Sequence, residues 1–544
     1  MTAGRFDAAA HAQSMRAQGF WPDIPYDAPL AQAIAETPDK PALVAYRADR
    51  ERSRRFSYRE FGDAVARAAA ALRGLGIGAG DIVAVQLPNW WEFVVVSLAA
   101  NRIGAVVNPL MPIFREREMA YMLGFAEAKV LIVPKLFRGF DHAAMTRALQ
   151  RELPALQHVI VVDGDGDDGF DRVLLSGTER IEPAPASPVL APDAAAVVMF
   201  TSGTTGSPKG VMHSTNTLMA CNRSLAARFG LTTDDVLLAC SPLGHMTGYA
   251  AVMLLGLNLG ATVVLQDVWD AKRGVTIMAD EGLTYTAAST PFLNDICEAV
   301  AGGAPRPVAL RSFLCGGAPI PPVLIERALR ELDLKVCSLW GMTESLSSTL
   351  TEPARAADKS AKTDGRALEG VDVQVVDFDG APLPAGQTGR LLVRGAQMFL
   401  GYYKRPDVKT FDADGWFDTG DLAYADDEGY IRINGRTKDV LIRGGENVPV
   451  VEIESLLYQH PAVAAAALVG YPDARLGERG CAFVVLRPGA EFSLAQLQAW
   501  MAECKVAKQY WPERVEIVQD LPRTPSGKIQ KFKLREAIGA GSGG

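Results

Sequence analysis

Short apolar runs bounded by Gly, Asp or Pro recur along the chain up to about Val371, and amphipathic stretches separate them. The runs at 81–87, 129–133, 159–162 and 261–265 are rich in Val, Ile and Leu and read as strands, whereas 58–75 carries helical spacing. Such alternation predicts βαβ units and parallel sheets, hence an α/β fold. From Val371 the texture changes to VDVQVVDFDG, GRLLVRG and DEGYIRING, short strands punctuated by Gly and Asp turns, which predict a β-rich subdomain. Beyond Gly435 a helix near 451–459, strands at 463–469 and 481–486, and a helix near 493–504 predict a small α+β domain. Its length, roughly a hundred residues, suits an independent folding unit. The tail GAGSGG has nothing to bury.

The stretch 246–265 contains no charged residue and is long enough to cross a bilayer. Gly256, Asn258 and Gly260 interrupt it, so a buried helix, a glycine turn and a strand explain it better. At 544 residues the chain needs more than one core, and 48% hydrophobic with 22% charged residues places it among ordinary globular proteins. Lys and Arg number 55 against 63 Asp and Glu, and the basic residues are dispersed, which argues against nucleic acid as a partner. The seven cysteines are scattered without CxxC spacing and the six histidines do not cluster, so no transition-metal site is expected. The N-terminal residues lack the apolar core of a secretory signal, and a cytoplasmic location without a transmembrane segment is expected.

The sharpest local pattern is TSGTTGSPKG at 201–210, directly after the apolar run 195–200. Its glycines let backbone approach phosphate oxygens, its hydroxyls can donate hydrogen bonds, and Lys209 adds a point charge. Pro208 before the lysine and Gly210 after it exclude a GxxxxGK[ST] nucleotide loop. Further segments follow in order: PLGHMTG at 242–248, CGGAP at 315–319, LWGMTE at 339–344, WFDTGD at 416–421, GRTKD at 435–439 and PSGKIQ at 525–530.

With these segments in this order, nearly the whole chain resembles the adenylate-forming superfamily, and its details look closest to bacterial short- and medium-chain acyl-CoA synthetases and cyclohexanecarboxylate-CoA ligases. The resemblance implies an acid-thiol ligase that joins a carboxylic acid to coenzyme A at the expense of ATP, through an acyl-AMP intermediate and with Mg²⁺. It also implies a large N-terminal adenylation domain, 1–437, of two stacked αβαβα-type subdomains plus the β-rich subdomain. A small mobile C-terminal domain, 438–544, would turn about a hinge at Lys438.

By the same resemblance Lys528, Thr343, Glu344 and His245 belong to the catalytic set, with Glu344 holding Mg²⁺. The nucleotide would be met by Thr201, Ser202, Gly203, Thr204, Thr205, Gly206 and Lys209, with adenine enclosed by Gly316, Gly317, Ala318, Pro319, Trp340, Gly341 and Met342. Asp421 and Arg436 would take the ribose. Gly444, Gly445 and Glu446 would form the passage for the thiol of coenzyme A, and Gly244, Tyr249, Ser289 and Cys315 would line the acyl pocket. His245, taken by itself, is more often a hydrogen-bonded structural histidine. Gly244 stands where the family commonly has a bulky aromatic, so a wider entrance is expected there.

No Arg or Lys falls in the pocket segments 244–249, 285–290 and 313–316, which disfavours a second carboxylate on the acid. Linear, alicyclic and aromatic acids stay open. A homodimer is compatible with the resemblance. Two other functions stay open as well: an adenylating enzyme that loads a carrier protein, and a non-catalytic nucleotide sensor.

Overall fold

The computed structural model describes residues 6–178, 190–201, 208–317, 320–437, 441–443, 446–473, 475–523 and 529–541. These residues pack as two units: one takes 6–372 with 394–416, the other 373–393 with 417–541.

The first unit is built on two large sheets, as the strand–helix alternation predicts. In the nine-stranded sheet Lys335–Met342, Ser312–Gly316, Tyr285–Ala288, Val236–Ala239, Thr262–Gln266 and Pro41–Tyr46 run parallel side by side. Antiparallel strands, Leu346–Leu350 on one side and Arg54–Ser57 on the other, flank this parallel core. In the seven-stranded sheet Ala195–Thr201, Val106–Pro109, Ile82–Val85, Val130–Pro134 and His158–Val162 are parallel. Lys209–Ser214 and Gly401–Tyr402 extend its edge antiparallel. Ile82–Val85 and Val130–Pro134 are buried at every residue, as strands covered by helices on both faces must be.

The helix Trp91–Arg102 is buried at every position from Glu92 to Asn101. A helix that is enclosed all round belongs between layers and not on a surface. Thr215–Phe229 is buried over its first half, from Thr215 to Asn222, and its start is secured reciprocally: Thr217 N donates to Ser214 Oγ at 3.3 Å and Ser214 N to Thr217 Oγ1 at 3.0 Å.

The uncharged stretch 246–265 resolves into a short helix Met246–Gly248, a π-helix Tyr249–Leu254, a helical turn Leu255–Leu259, and the strand Thr262–Gln266. Gly260, at φ +70°, makes the turn between them. Among the described residues no helix is long and apolar enough to cross a membrane. The π-helix was not foreseen, because an apolar run carries no signal for a shift in backbone hydrogen-bond spacing.

In the second unit Gly389–Gly395, Phe417–Ala425 and Ile431–Arg436 form an antiparallel meander with Val371–Val376 at its edge. The C-terminal part has a sheet of Glu446–Val448, Leu441–Arg443, Gly477–Leu486, Val463–Asp473 and Arg514–Ile517, with helices Val450–Gln459, Leu494–Glu503 and Lys531–Gly541. Ile453, Leu457, Leu468, Val484, Leu497 and Met501 fill its core. The long hairpin pairs from Val463 opposite Leu486 to Asp473 opposite Gly477, well past the apolar runs read in the sequence. Its outer part, GYPD against GERG, adds an Arg479–Asp473 ion pair at 2.6 Å to the backbone pairing and has no apolar alternation to read.

Candidate active site

Most of the candidate residues of the first unit sit at the carboxyl ends of neighbouring parallel strands, where open α/β sheets place their ligands. Gly244 and His245 follow Val236–Ala239, Ser289 follows Tyr285–Ala288, Cys315 to Gly317 end Ser312–Gly316, and Trp340 to Glu344 end Lys335–Met342. The backbone there is crowded. A Cβ on Gly341 would lie 2.0 Å from the Leu346 carbonyl oxygen, and one on Gly316 would lie 3.0 Å from that of Leu339. Gly317 takes φ +88°, which a residue with a side chain rarely adopts.

Ser289 directly precedes the helix Thr290–Ala301. Cys315 is buried with its Sγ 3.8 Å from Thr290 Oγ1, and burial pushes the thiol up to about 12, so it stays protonated at neutral pH. His245 Nδ1 accepts from Thr247 N at 3.3 Å and thereby caps the turn Met246–Gly248. Tyr249 is fully buried and edge-on to Phe93, with ring centroids 6.2 Å apart, at the start of the π-helix.

The wider entrance expected at Gly244 is not found. A Cβ there would stand 3.0 Å from the Leu110 carbonyl and 3.0 Å from Met111 Sδ, so the main chain of the 110–111 segment and a thioether already fill the space. The Gln86 amide secures that segment, donating to the carbonyls of Met111 (3.1 Å) and Phe114 (3.0 Å).

Two residues that the motifs did not single out hold the Thr343–Glu344 turn. Tyr402 Oη donates to Glu344 Oε1 at 2.9 Å, and burial, then the Glu344 carboxylate, push the phenol well above its ordinary pKa, so it remains a neutral donor. Lys209 Nζ lies 4.7 Å from the centroid of the same ring. On the other side His213 Nε2 is 2.7 Å from the Thr343 carbonyl oxygen, and Nδ1 is 3.1 Å from Thr217 Oγ1. A carbonyl only accepts, so Nε2 carries the proton and Nδ1 is left as an acceptor beside Thr217 Oγ1, whose single proton also lies within reach of Ser214 O at 3.1 Å. His213 is fully buried, and burial lowers its pKa to about 4, which keeps the ring neutral. One signal for His213 was available: it alternates with Val211 on the buried face of KGVMHS, where a polar side chain calls for a partner.

Thr201 and Lys209 pair directly across antiparallel strands. Lys209 therefore begins a strand and not a helix.

In the second unit Asp421 is 4% exposed, and its Oδ1 lies 2.8 Å from Nε of Arg436, the residue directly opposite on the next strand. Gly420, at φ +72°, turns the chain into it, and Gly420 O accepts from both Thr437 N (2.9 Å) and Thr437 Oγ1 (3.1 Å). Ser202, Gly203, Thr204, Thr205, Gly206, Ala318, Pro319, Lys438, Gly444, Gly445 and Lys528 lie outside the described residues; Glu446 begins the strand Glu446–Val448. The segment holding Lys528 is tied at its base by Gln530 N donating to Pro522 O at 2.7 Å and by the Lys531–Glu454 pair at 2.8 Å.

Among the described residues no three His, Cys, Asp or Glu side chains gather as a metal site. Glu344, buried and held by an uncharged donor, fits the role of holding Mg²⁺ because its negative charge is not offset by Tyr402.

Residues 30–403 match the AMP-binding enzyme family, and 452–528 match the AMP-binding enzyme C-terminal domain. The chain is 36% identical to a medium-chain fatty-acid–CoA ligase of Escherichia coli over 530 residues, 96% of this chain and 92% of that one. It is also 36% identical to a 3-[(3aS,4S,7aS)-7a-methyl-1,5-dioxo-octahydro-1H-inden-4-yl]propanoyl:CoA ligase of Mycobacterium tuberculosis, covering 94% of this chain and 98% of that one. Among solved structures, o-succinylbenzoate CoA synthetase from Bacillus subtilis in complex with its acyl-adenylate intermediate superposes with a TM-score of 0.82 at 27% identity, covering 94% of this chain and 98% of that one. From the motif order, the fold and these matches along nearly its whole length, the chain belongs to the AMP-binding enzyme family.

Proposed function

We propose that the protein is an AMP-forming carboxylic acid–CoA ligase, which activates an apolar acid as its acyl-adenylate and passes the acyl group to the thiol of coenzyme A. The observation that carries this reading is the convergence of the LWGMTE, CGGAP and PLGHMTG segments on the carboxyl edge of one parallel sheet, within a chain that matches CoA ligases over more than nine-tenths of its length.

The chemistry sets the demands on the site. A carboxylate attacking the α-phosphate of ATP brings like charges together, at a cost of about 4 kcal/mol per charge pair at 4 Å and an effective dielectric near 20. Lys528 and Lys209 offset that charge, Lys528 at the reacting carboxylate and α-phosphate, Lys209 at the departing pyrophosphate. Thr343 donates to the α-phosphate. Glu344 holds Mg²⁺, which when bound neutralises phosphate charge. Asp421 accepts from the ribose hydroxyls with Arg436 beside it, and Trp340 and the 316–319 segment enclose adenine.

Lys438, at the boundary of domains 1–437 and 438–544, serves as the hinge that exchanges Lys528 for the Gly444, Gly445 and Glu446 passage between the half-reactions. Gly244, His245, Tyr249, Ser289 and Cys315 line the acyl pocket, where Met111 closes the space beside Gly244. A cytoplasmic location supplies ATP and coenzyme A and keeps the buried thiols reduced.

A panel of linear, alicyclic and aromatic acids, assayed for AMP release, tests the reading. AMP release that requires an acid, ATP and coenzyme A together is expected, with an acyl-CoA product identified by mass. Release that proceeds on a carrier protein but not on coenzyme A would instead favour carrier loading, and no release with any acid would favour a sensor.

A further inference from the structure

Glu344 is a buried carboxylate, and one of its oxygens has a defined donor in the neighbouring strand. Oε1 accepts from Tyr402 Oη at 2.9 Å, from a strand that is itself fixed at several points. Leu400 N donates to Met212 O and Tyr403 N to Gly210 O, each at 2.8 Å, so Tyr402 is held between two backbone bonds to the strand that begins with Lys209. The same segment reaches back to the turn itself: Phe399 N donates to Glu344 O at 2.9 Å, and the Gln397 amide to Ser345 O at 2.9 Å. Phe399 packs edge-on against the Tyr402 ring at 5.0 Å, which fixes the plane of the phenol. The opposite face of function on this ring is Lys209, whose Nζ stands 4.7 Å from the centroid.

We propose that Tyr402 is a positioning residue for the adenylation step: its hydroxyl sets the orientation of Glu344 by occupying Oε1, and its ring gives the Lys209 ammonium a defined place beside the same carboxylate-bearing turn. The inference rests on the ligase reading in assigning Glu344 to the metal–nucleotide complex. It adds a residue that none of the nucleotide motifs contains. A neutral phenol is chemically suited to this task. A lysine or arginine in its place would cancel the carboxylate's charge, whereas a hydroxyl fixes one oxygen and leaves the net charge to act on a cation. An aromatic face likewise attracts the ammonium without consuming its charge.

The test uses Mn²⁺·ATP as the probe, with binding followed by calorimetry in the full chain, beside acid-dependent pyrophosphate exchange. Tyr402→Phe keeps the ring for Lys209 and for Phe399, and removes only the donor. It should weaken Mn²⁺·ATP binding by about tenfold, the weight of one hydrogen bond to a charged group, while KM for the acid stays within twofold of the parent. In a Glu344→Gln background the same substitution should change binding by less than twofold, since the hydroxyl acts through the carboxylate. Tyr402→Leu, which also removes the ring, should slow pyrophosphate exchange further than Tyr402→Phe at saturating nucleotide.

Mn²⁺·ATP affinity within twofold of the parent in Tyr402→Phe would overturn the proposal, as would an equal loss in the Glu344→Gln background, which would mark a general packing effect. If the parent binds Mn²⁺·ATP and no acid supports exchange, the ligase reading fails while the Tyr402 comparison still stands on binding. If the parent does not bind Mn²⁺·ATP, both fall.

Discussion

Glu344, just past the end of its strand, and Asp421, in the middle of one, are both buried carboxylates, yet they have different neighbours. Glu344 rises from the carboxyl end of a parallel sheet and receives a hydrogen bond from a neutral phenol. Asp421 comes from an antiparallel meander and faces the guanidinium of Arg436 in register. The phenol fixes an oxygen without itself adding a charge. The guanidinium offsets charge and leaves a polar acceptor. A carboxylate that must attract a cation needs the first environment, and one that must accept from uncharged hydroxyls is served by the second. The lesson is that a motif names the acid, while its partner decides what the acid can do.

The contrast can be broken most forcefully at Glu344. Glu344→Gln retains an acceptor for Tyr402 but loses the charge, and adenylation turnover should fall by on the order of a hundredfold or more with the fold intact; stopped-flow or pyrophosphate exchange kinetics measure it. Asp421→Asn should act mainly on binding. An increase of about tenfold in KM for ATP, with turnover much less affected, is expected for loss of a charged acceptor, and steady-state kinetics at varied ATP check the split. If both variants lost turnover equally, the two environments would not be functionally distinct.

A smaller effect is expected from the main-chain support. His213→Leu leaves the buried Thr343 carbonyl without its 2.7 Å donor, which should lower stability by about 1–3 kcal/mol in urea unfolding and reduce turnover severalfold. His213→Gln, which can still donate, should recover part of both.

The smallest effect is on pH. The folded imidazole of His213 has its pKa lowered to about 4, against an ordinary value of 6.5. Between those values the unfolded chain takes up a proton that the folded one refuses, so stability is complete above pH 6.5 and declines as the pH falls towards 4. At pH 6 the loss is about 1 kcal/mol per such histidine. His142, also lowered to about 4 by burial first and then by Arg115, behaves the same way, and burial lowers His11 and His460 as well, so His213→Gln should remove only part of the histidine contribution to the slope. Urea midpoints at pH 8 and pH 6 measure it.

Much of this site was legible because its residues lie within short contiguous segments. TSGTTGSPKG, LWGMTE and WFDTGD each carry several constraints at adjacent positions, and the strand–helix alternation was sufficient to read parallel sheets. What escaped was long-range. Tyr402 meets Glu344 from 58 positions away, and His213 meets Thr343 from 130 positions away, through pairings that exist only once the sheets are assembled. Gly244 misled for the same reason: an absent side chain reads as open space, and only the folded chain brings Leu110 and Met111 against it. The β-meander was clear from its turn residues, while the extent of the hairpin 463–486 was hidden because its outer residues, GYPD and GERG, carry no apolar alternation.

The most direct test of the account is acid-dependent exchange of labelled pyrophosphate into ATP, measured without coenzyme A on the parent and on Glu344→Gln. The account predicts exchange that appears only when a suitable acid is added and that nearly vanishes in the variant. Exchange independent of any acid, or retained in full by Glu344→Gln, would contradict it.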